Sequence, residues 1–518
     1  MVLTGYPQTL RTRFTQLSFF GRIGYSYKDK YLLSANLRRD GASKFAPNQR
    51  WGWFPAGSVA WRIKKEKFLE NVDFINDLKF RFGFGKMGNN RIGDYLYLNT
   101  FANTYPGSTA PVFYSFNGQP VFGYYPQSLP NPMLTWESTM NRNFGLDMTL
   151  LHGRVDLSVD YYINTSKDLL LNVNIDPSYG FTTQTQNVGE TQNKGFEVQL
   201  NASILRNPKG FNWSASFNIS HNINKIVALG PGQTETLVGP AYQVTSNDYI
   251  LRVGQPIGLM YGLVADGFYN TNDFNYNQAT GAYTLKPGVV DVSPIIGNPL
   301  QPGSIKYKDL NGDGKVDLNS DRTVIGDPNP KFSGGLNQMF NYKRWDMSIF
   351  VNFMYDFDVY NANRIEFTNA YSPNSNELAI MKDRWRTVDP ATGQTLQYIS
   401  GGVVYGVSPA QLEAVNANAK MWIPLSGNGA FNTSSFAIED GSFLRLNNVT
   451  IGYTLPVKDF IHLSKLRFYL TGNNLAIITN YSGYDPEVNL KTDPRMPNFD
   501  YSAYPKSRLF IFGVNATF

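Results

Sequence analysis

An all-β fold, in which long two-faced antiparallel strands wall a transmembrane barrel, is what three features of this chain predict. Apolar and polar residues alternate with period two along the whole length, as strands do when one face meets an apolar medium and the other meets water. Short connections alternate with long ones, the asymmetry of barrels whose long loops face outward. The closing residues 506–518, K-S-R-L-F-I-F-G-V-N-A-T-F, set Phe510, Phe512, Val514, Ala516 and Phe518 on one face of a strand. About ten residues tilted across a bilayer is the length a wall strand needs, and closure spares it the open edge that invites aggregation.

The segments fall near residues 14–27, 30–42, 51–63, 77–88, 137–150, 153–172, 184–204, 209–224, 331–343, 345–361, 441–455, 464–478 and 506–518, about thirteen strands of a larger wall. Val155, Leu157, Val159, Tyr161 and Ile163 alternate with Asp156, Ser158, Asp160 and Tyr162. Phe211, Trp213, Ala215, Phe217 and Ile219 alternate with Asn212, Ser214, Ser216, Asn218 and Ser220. The longest run, residues 345–360, puts Trp345, Met347, Ile349, Val351, Phe353, Tyr355, Phe357 and Val359 on one side. At about 3.3 Å per residue it approaches roughly 50 Å against an apolar band of ~25 Å, so it is expected to project past the membrane. Sandwich strands are typically about half this length or less, which favours a barrel wall.

Short turns sit at Lys28-Asp29, His152-Gly153, residues 206–209, Lys343-Arg344 and residues 456–463. The long links, residues 89–136, 225–330, 362–440 and 479–505, belong on the outer side, and the last strand then ends on the inner, periplasmic side. An odd count cannot close a barrel with both ends on one side, so the expectation is part of a wall.

Composition removes other classes. Mean hydropathy is −0.31, and no apolar run approaches the roughly eighteen residues a membrane helix requires. Aromatic residues at 15 %, with Gly 46 and Pro 29, suit strands joined by turns and bordered by aromatic girdles. The charge of +6 comes from scattered Lys and Arg with no basic stripe, so no nucleic-acid partner is expected. With Cys 0 there is no disulfide and no thiolate metal site. The opening residues M-V-L-T-G-Y-P-Q-T-L have neither the charged nor the apolar region of an export signal, which for an outer-membrane protein predicts an N-terminally truncated or processed chain.

Five stretches together resemble one family, the SusC/RagA-type TonB-dependent outer-membrane transporters. They are residues 18–41 (SFFGRIGYSYKDKYLLSANLRRDG), 50–63 (RWGWFPAGSVAWRI), 187–197 (NVGETQNKGFE), 443–456 (FLRLNNVTIGYTLP) and 466–475 (LRFYLTGNNL) followed by 481–489 (YSGYDPEVN). The resemblance implies a plugged barrel of about 22 strands. It also implies energised import of glycans or peptides, a SusD-like surface lipoprotein over the outer face, and TonB acting on the plug. Residues 1–518 then correspond to the C-terminal part of the barrel, with the plug and N-terminal domains outside the matched region. No energy-coupling residue is carried over.

Residues 309–321, D-L-N-G-D-G-K-V-D-L-N-S-D, are the one cluster with metal-ligand spacing. Asp309, Asn311 and Asp313 occupy positions 1, 3 and 5 of an EF-hand-type loop, Gly314 the turn at 6, the Lys315 carbonyl position 7 and Asp317 position 9. Position 12 is Ser320, and the closing carboxylate, Asp321, arrives one residue late. Two readings stay open, a structural calcium and an Asx-turn loop bonded to its own backbone. No cofactor is otherwise required.

Tyr105, Phe113, Tyr114, Phe116, Phe122, Tyr124 and Tyr125 crowd one long outer loop. Tyrosine pairs a ring face with a hydroxyl, so Tyr105, Tyr114, Phe116, Tyr124 and Tyr125 are candidate substrate contacts; the plainer alternative is a loop packed on itself or on the lipoprotein. His152, His221 and His462 are isolated, and no nucleophile elbow, phosphate loop or catalytic carboxylate pair stands out. The chain is therefore not read as an enzyme. Two rivals to import remain: a passive pore or adhesin-like barrel, which would conduct without TonB, and a secreted β-rich glycan-binding protein, which would stay in water without detergent.

Overall fold

The computed structural model describes residues 12–103, 113–239, 242, 247–369, 376–425, 432–457 and 463–518. The chain divides into two compact units, residues 1–234 with 253–255, and residues 235–252 with 256–518. Thirteen long antiparallel wall strands run through them, eight in the first unit and five in the second.

The first unit holds β1 (Gln16–Tyr27), β2 (Tyr31–Ala42), β3 (Trp51–Arg62), β4 (Ile75–Asn89), β5 (Glu137–Leu150), β6 (Val155–Lys167), β7 (Glu190–Leu205) and β8 (Phe211–Ala228), each paired with the next. Short turns set the register. Lys28 and Asp29 both take left-handed φ, +52° and +54°, the geometry whose twist matches a right-twisted hairpin. Leu151, His152 and Gly153 do the same between β5 and β6, at φ +57°, +59° and +72°.

Register converts the alternation of single strands into rows. Tyr27, Tyr31, Trp61, Phe80, Leu146, Val159, Val198 and Ile219 lie side by side across all eight strands. One residue further on, the row across β4 to β8 reads Arg81, Gly145, Asp160, Glu197, Ser220. Over β4 to β8 the first row is wholly apolar and its neighbour wholly polar or glycine; across β3, β2 and β1 the second row continues as Ala60, Leu32 and Ser26. The aromatic end of the apolar row stays open to the surroundings, with Tyr27 and Tyr31 each 46 % exposed and Trp61 36 %. A water-soluble sheet would lose the burial energy of those rings, roughly 1.5–3 kcal/mol for a large apolar side chain; a lipid-facing wall does not.

The second unit holds β9 (Phe332–Tyr342), β10 (Trp345–Tyr355), β11 (Phe443–Leu455), β12 (Lys465–Thr479) and β13 (Leu509–Thr517). Its rows repeat the pattern. Phe340, Met347, Ile451, Leu470 and Phe512 align, and beside the short turn at Lys343 the row Tyr342, Trp345, Tyr453, Phe468, Val514 is mostly aromatic. Trp345 and Tyr453 pack with ring centroids 4.8 Å apart. Trp345 is 54 % exposed and Ile349 and Phe353 are part-exposed, so these residues are not the centre of a two-sheet sandwich.

Glycines on the polar face let side chains reach across a strand. Arg81 of β4 passes over Gly145 of β5 to Asp160 of β6 at 3.1 Å, while its fork grips Asp147 at 2.8 Å. A Cβ on Gly145 would lie 2.6 Å from the Arg81 guanidinium carbon. Arg467 of β12 likewise crosses Gly452 of β11 to reach Asp346 of β10 at 2.9 Å. Tyr162 of β6 crosses Gly195 of β7 and donates to Asn222 of β8 at 3.0 Å.

The structure corrects three boundaries. The expected strand over residues 345–361 stops at Tyr355, because Asp356 takes φ +60°. The chain then turns into a separate short strand, Asp358–Asn361, paired with Ile438–Asp440 and Phe499–Asp500, and Phe357 and Val359 are buried with Phe443, Tyr481 and Val488 rather than continuing an exposed face. The segments expected at 153–172 and 184–204 are also each broken, at Asp168 (φ +58°) and Gly189 (φ +86°), by a small hairpin of Leu170–Asn174 with Thr183–Asn187.

The long link of residues 225–330 is not irregular coil. Its residues 263–316, together with residues 381–425 and Phe436, pack a core of their own around Tyr269, Tyr307, Trp385 and Trp422.

Candidate functional site

The aromatic loop of the first unit folds as two small ribbons. Phe113–Phe116 pairs with Gln119–Phe122 through an Asn117-Gly118 turn with φ +50° and +72°, the left-handed pair that suits a two-residue hairpin. Tyr114 and Phe116 share a side of this hairpin and are 60 % and 73 % exposed. Tyr124 and Tyr125 lie on Tyr124–Pro126, paired with Phe101–Asn103, and both are exposed; as adjacent strand residues they face opposite sides. Tyr105 lies outside the described residues.

The acidic loop of the second unit is bonded to itself. Asp309 accepts from the backbone N–H of Gly312 at 2.6 Å and of Gly314 at 2.8 Å. Asn311 and Asp313 each cap the N–H two residues on, and Asp317 caps Asn319 and Ser320. Asp321, fully buried, takes the Leu310 N–H on one oxygen and the Asp317 N–H on the other. These amides, Gly314 first for Asp309 and Asn319 first for Asp317, hold both carboxyls below the usual carboxylate range. The Lys315 carbonyl belongs to the same turn. Among the described residues no group of three or more His, Asp or Glu side chains is placed to hold a metal ion. These hydrogen bonds are those an Asx-turn loop makes.

A second polar centre, not singled out in the sequence, anchors residues 480–506 to the wall. Arg445 of β11 has a side chain only 3 % exposed; it donates to Asp485 at 2.6 Å and to Asn474 Oδ1 at 2.6 Å. Glu487 lies 2.9 Å from Arg445 Nε, close enough to share charge although the N–H points elsewhere. Lys506 stands 3.5 Å from Asp485 and 3.3 Å from Glu487. Asn474 reaches Arg445 because β11 and β12 lose register between Leu446 and Asn448 and Asn474 takes φ +52°. Next to this centre Tyr481 donates to Asp500 at 2.6 Å; burial, then that carboxylate, raises its phenol far above the usual value.

Residues on either side of the Tyr481–Asp500 bond line a cleft of about 710 Å³, with Asn361, Asn363, Asn376, Ser482, Tyr484 and Tyr504 among its walls. The sequence signal for it was faint: exposed tyrosines separated by twenty residues, set on one cleft by the Tyr481–Asp500, Ser482–Glu439 and Ser502–Asn363 bonds.

Residues 3–293 match the family model described as TonB dependent receptor-like, beta-barrel. The chain belongs to that family. It is 30 % identical over 531 residues to the TonB-dependent receptor SusC of Bacteroides thetaiotaomicron, covering 98 % of this chain and 44 % of that protein. To TonB-dependent receptor P3 of Formosa agariphila it is 31 % identical, covering 100 % of this chain and 47 % of the relative. A solved structure of the RagAB peptide transporter superposes with a TM-score of 0.71 at 23 % identity, over 98 % of this chain and 48 % of that one. The chain thus spans about half the length of the relatives it matches. In this TonB-dependent receptor barrel the terminal-strand residues Phe510, Phe512, Val514 and Phe518 are all exposed, at 67 %, 69 %, 50 % and 85 %, as residues are that meet lipid or a neighbouring strand. His152 sits in a turn, His221 packs on Phe196 at 5.6 Å, and His462 lies outside the described residues.

Proposed function

We propose that this chain is the wall and outer-loop portion of an energised outer-membrane importer of glycans or peptides. A SusD-like surface lipoprotein would cover the outer face, and the TonB complex would act through a plug region of the kind the resemblance implies. The observation that carries the reading is the row pattern: continuous apolar rows beside rows bridged by Arg81–Asp160 and Arg467–Asp346 supply a lipid face and a wet face. The names of the relatives support transport rather than catalysis. Tyr114, Phe116, Tyr124 and Tyr125, with Tyr105, are proposed as substrate contacts, since open rings on short ribbons suit sugar or side-chain stacking. The loop 309–321 braces an outer link, and a calcium titration decides between a self-bonded brace and a cation-bound one.

Uptake of fluorescent glycans and peptides by cells expressing the whole receptor tests the import reading. Energised import predicts that collapsing the proton gradient stops uptake; uptake that persists would point to a passive pore. Recovery of the protein from the aqueous fraction without detergent would favour a secreted β-rich binder.

A further inference from the structure

We infer that the cleft bounded by Tyr484 and Tyr504 is a binding subsite for an uncharged oligosaccharide, an inference that rests on the import reading and narrows its substrate class.

The first argument is exposure held on a rigid base. Tyr484 is 77 % exposed and Tyr504 93 %, so neither ring is holding the fold together. The chain leading into each is nonetheless fixed. Ser482 gives both its N–H and its hydroxyl to Glu439, at 3.0 and 2.8 Å. Gly483 carries no side chain because the Tyr481 ring lies where its Cβ would be, 2.4 Å away. On the other side Ser502, at φ +55°, donates its N–H to Asn363 at 2.7 Å, and Asp500 takes the Tyr481 hydroxyl. Large rings presented to solvent from a pinned backbone lose little conformational entropy on binding.

The second argument is the chemistry of the lining. The lining is otherwise polar and uncharged, with Asn361, Asn363, Asn376, Ser482 and Ser502. Asn361 and Ser482 are engaged with Glu439, so sugar hydroxyls would be met by the Ser502 hydroxyl, the tyrosine hydroxyls and the spare amide hydrogen and lone pair of Asn363, while ring faces suit sugar C–H surfaces. Among the described residues lining the cleft, Glu377 is the single charged one. The nearby cations are engaged: Arg364 with Glu439 at 3.6 Å and over the Phe436 ring at 4.2 Å, and Lys506 with Asp485 and Glu487. Among the described residues lining the cleft, a uronate, a sulfate or a peptide C-terminus would meet the Glu377 carboxylate and no cation.

The test uses the whole receptor in detergent, titrated by calorimetry with short neutral gluco-, xylo-, manno- and fructo-oligosaccharides, their sulfated and uronic counterparts, and a mixed peptide library. The inference predicts that at least one neutral sugar binds. It predicts that Tyr484→Ala and Tyr504→Ala each weaken that sugar roughly tenfold, as truncation of an aromatic contact does, that Tyr504→Trp retains binding, and that melting is unchanged in all three. Neutral-sugar affinity indifferent to both truncations overturns it, as does binding confined to charged sugars, and so does no binding of any neutral sugar. Peptide binding that falls in Tyr504→Ala would also overturn it while leaving the import reading standing, because proton-gradient-dependent uptake is read separately.

Discussion

Arg445→Met should release residues 480–506 from the wall without melting the wall itself. Arg445 is nearly buried and faces two carboxylates, Asp485 and Glu487, whose side chains are 11 % and 25 % exposed. Removing one partner of a buried pair generally costs ~3–5 kcal/mol, because the remaining charge is left without compensation. Here Lys506 stays within 3.5 Å of both carboxylates, and Glu487 keeps contact with water, so the lower part of that range applies. We expect ~3 kcal/mol of local opening free energy, which makes the open form ~150-fold more populated. Hydrogen exchange resolved by peptide reads this directly, since locally opening segments exchange by their own free energies. Amides in residues 480–506 should exchange faster by that factor while β10 and β12 keep their protection. Arg445→Lys should recover only part of the loss, because an ammonium cannot serve Asp485 and Asn474 in the planar fork. Unchanged exchange across 480–506 in Arg445→Met would refute the anchoring role.

Three further outcomes follow from the same geometry. Gly145→Val should lower stability by ~1–3 kcal/mol, the usual cost of overpacking, since its Cβ meets the Arg81 guanidinium and the Asp160 carboxylate; denaturation of folded barrel in detergent checks it, and wild-type stability would refute the cross-strand bridge. Glu66, in the turn after β3, is held at about 2 against an ordinary 4.5, first by the Tyr31 hydroxyl and then by Lys30 and Trp61. Because its folded value is lowered, its contribution is present in full above about pH 4.5 and is lost as pH falls through about 2; a pH-dependent difference between wild type and Glu66→Gln that appears only above neutrality would contradict this. For residues 309–321, millimolar calcium should leave the melting temperature unchanged if backbone amides alone satisfy the carboxylates, and a clear rise would establish the cation-bound form.

Wall strands were readable in the sequence because period two and turn chemistry are local properties. Val155 to Ile163 alternates without error, and Lys28-Asp29 and Lys343-Arg344 mark the hairpins. Where a strand stops was less readable. Nothing in the pattern of residues 345–360 shows that Asp356 adopts a left-handed conformation, since the apolar face simply passes from exposed Tyr355 to buried Phe357. The bridges over Gly145, Gly452 and Gly195 depend on the register of three strands at once, so each glycine by itself reads as an unremarkable strand residue. The acidic loop was legible as a motif but not as an outcome, because D-x-N-x-D-G serves an Asx-turn loop and a cation cage alike. The cleft was least legible: Tyr484 and Tyr504 are twenty residues apart, and their sharing one cleft depends on Tyr481 finding Asp500 and Ser502 finding Asn363.

With Cys 0 in the chain, single cysteines introduced at Val198 and at Glu197 can be spin-labelled and read in isolated outer membranes for collision with oxygen, which concentrates in lipid, and with a water-soluble nickel chelate. The row pattern predicts that the label at position 198 responds to oxygen and the label at 197 to the chelate. Equal access of the chelate to both positions, or shielding of 198 from both reagents, would contradict a wall with lipid on one face and water on the other.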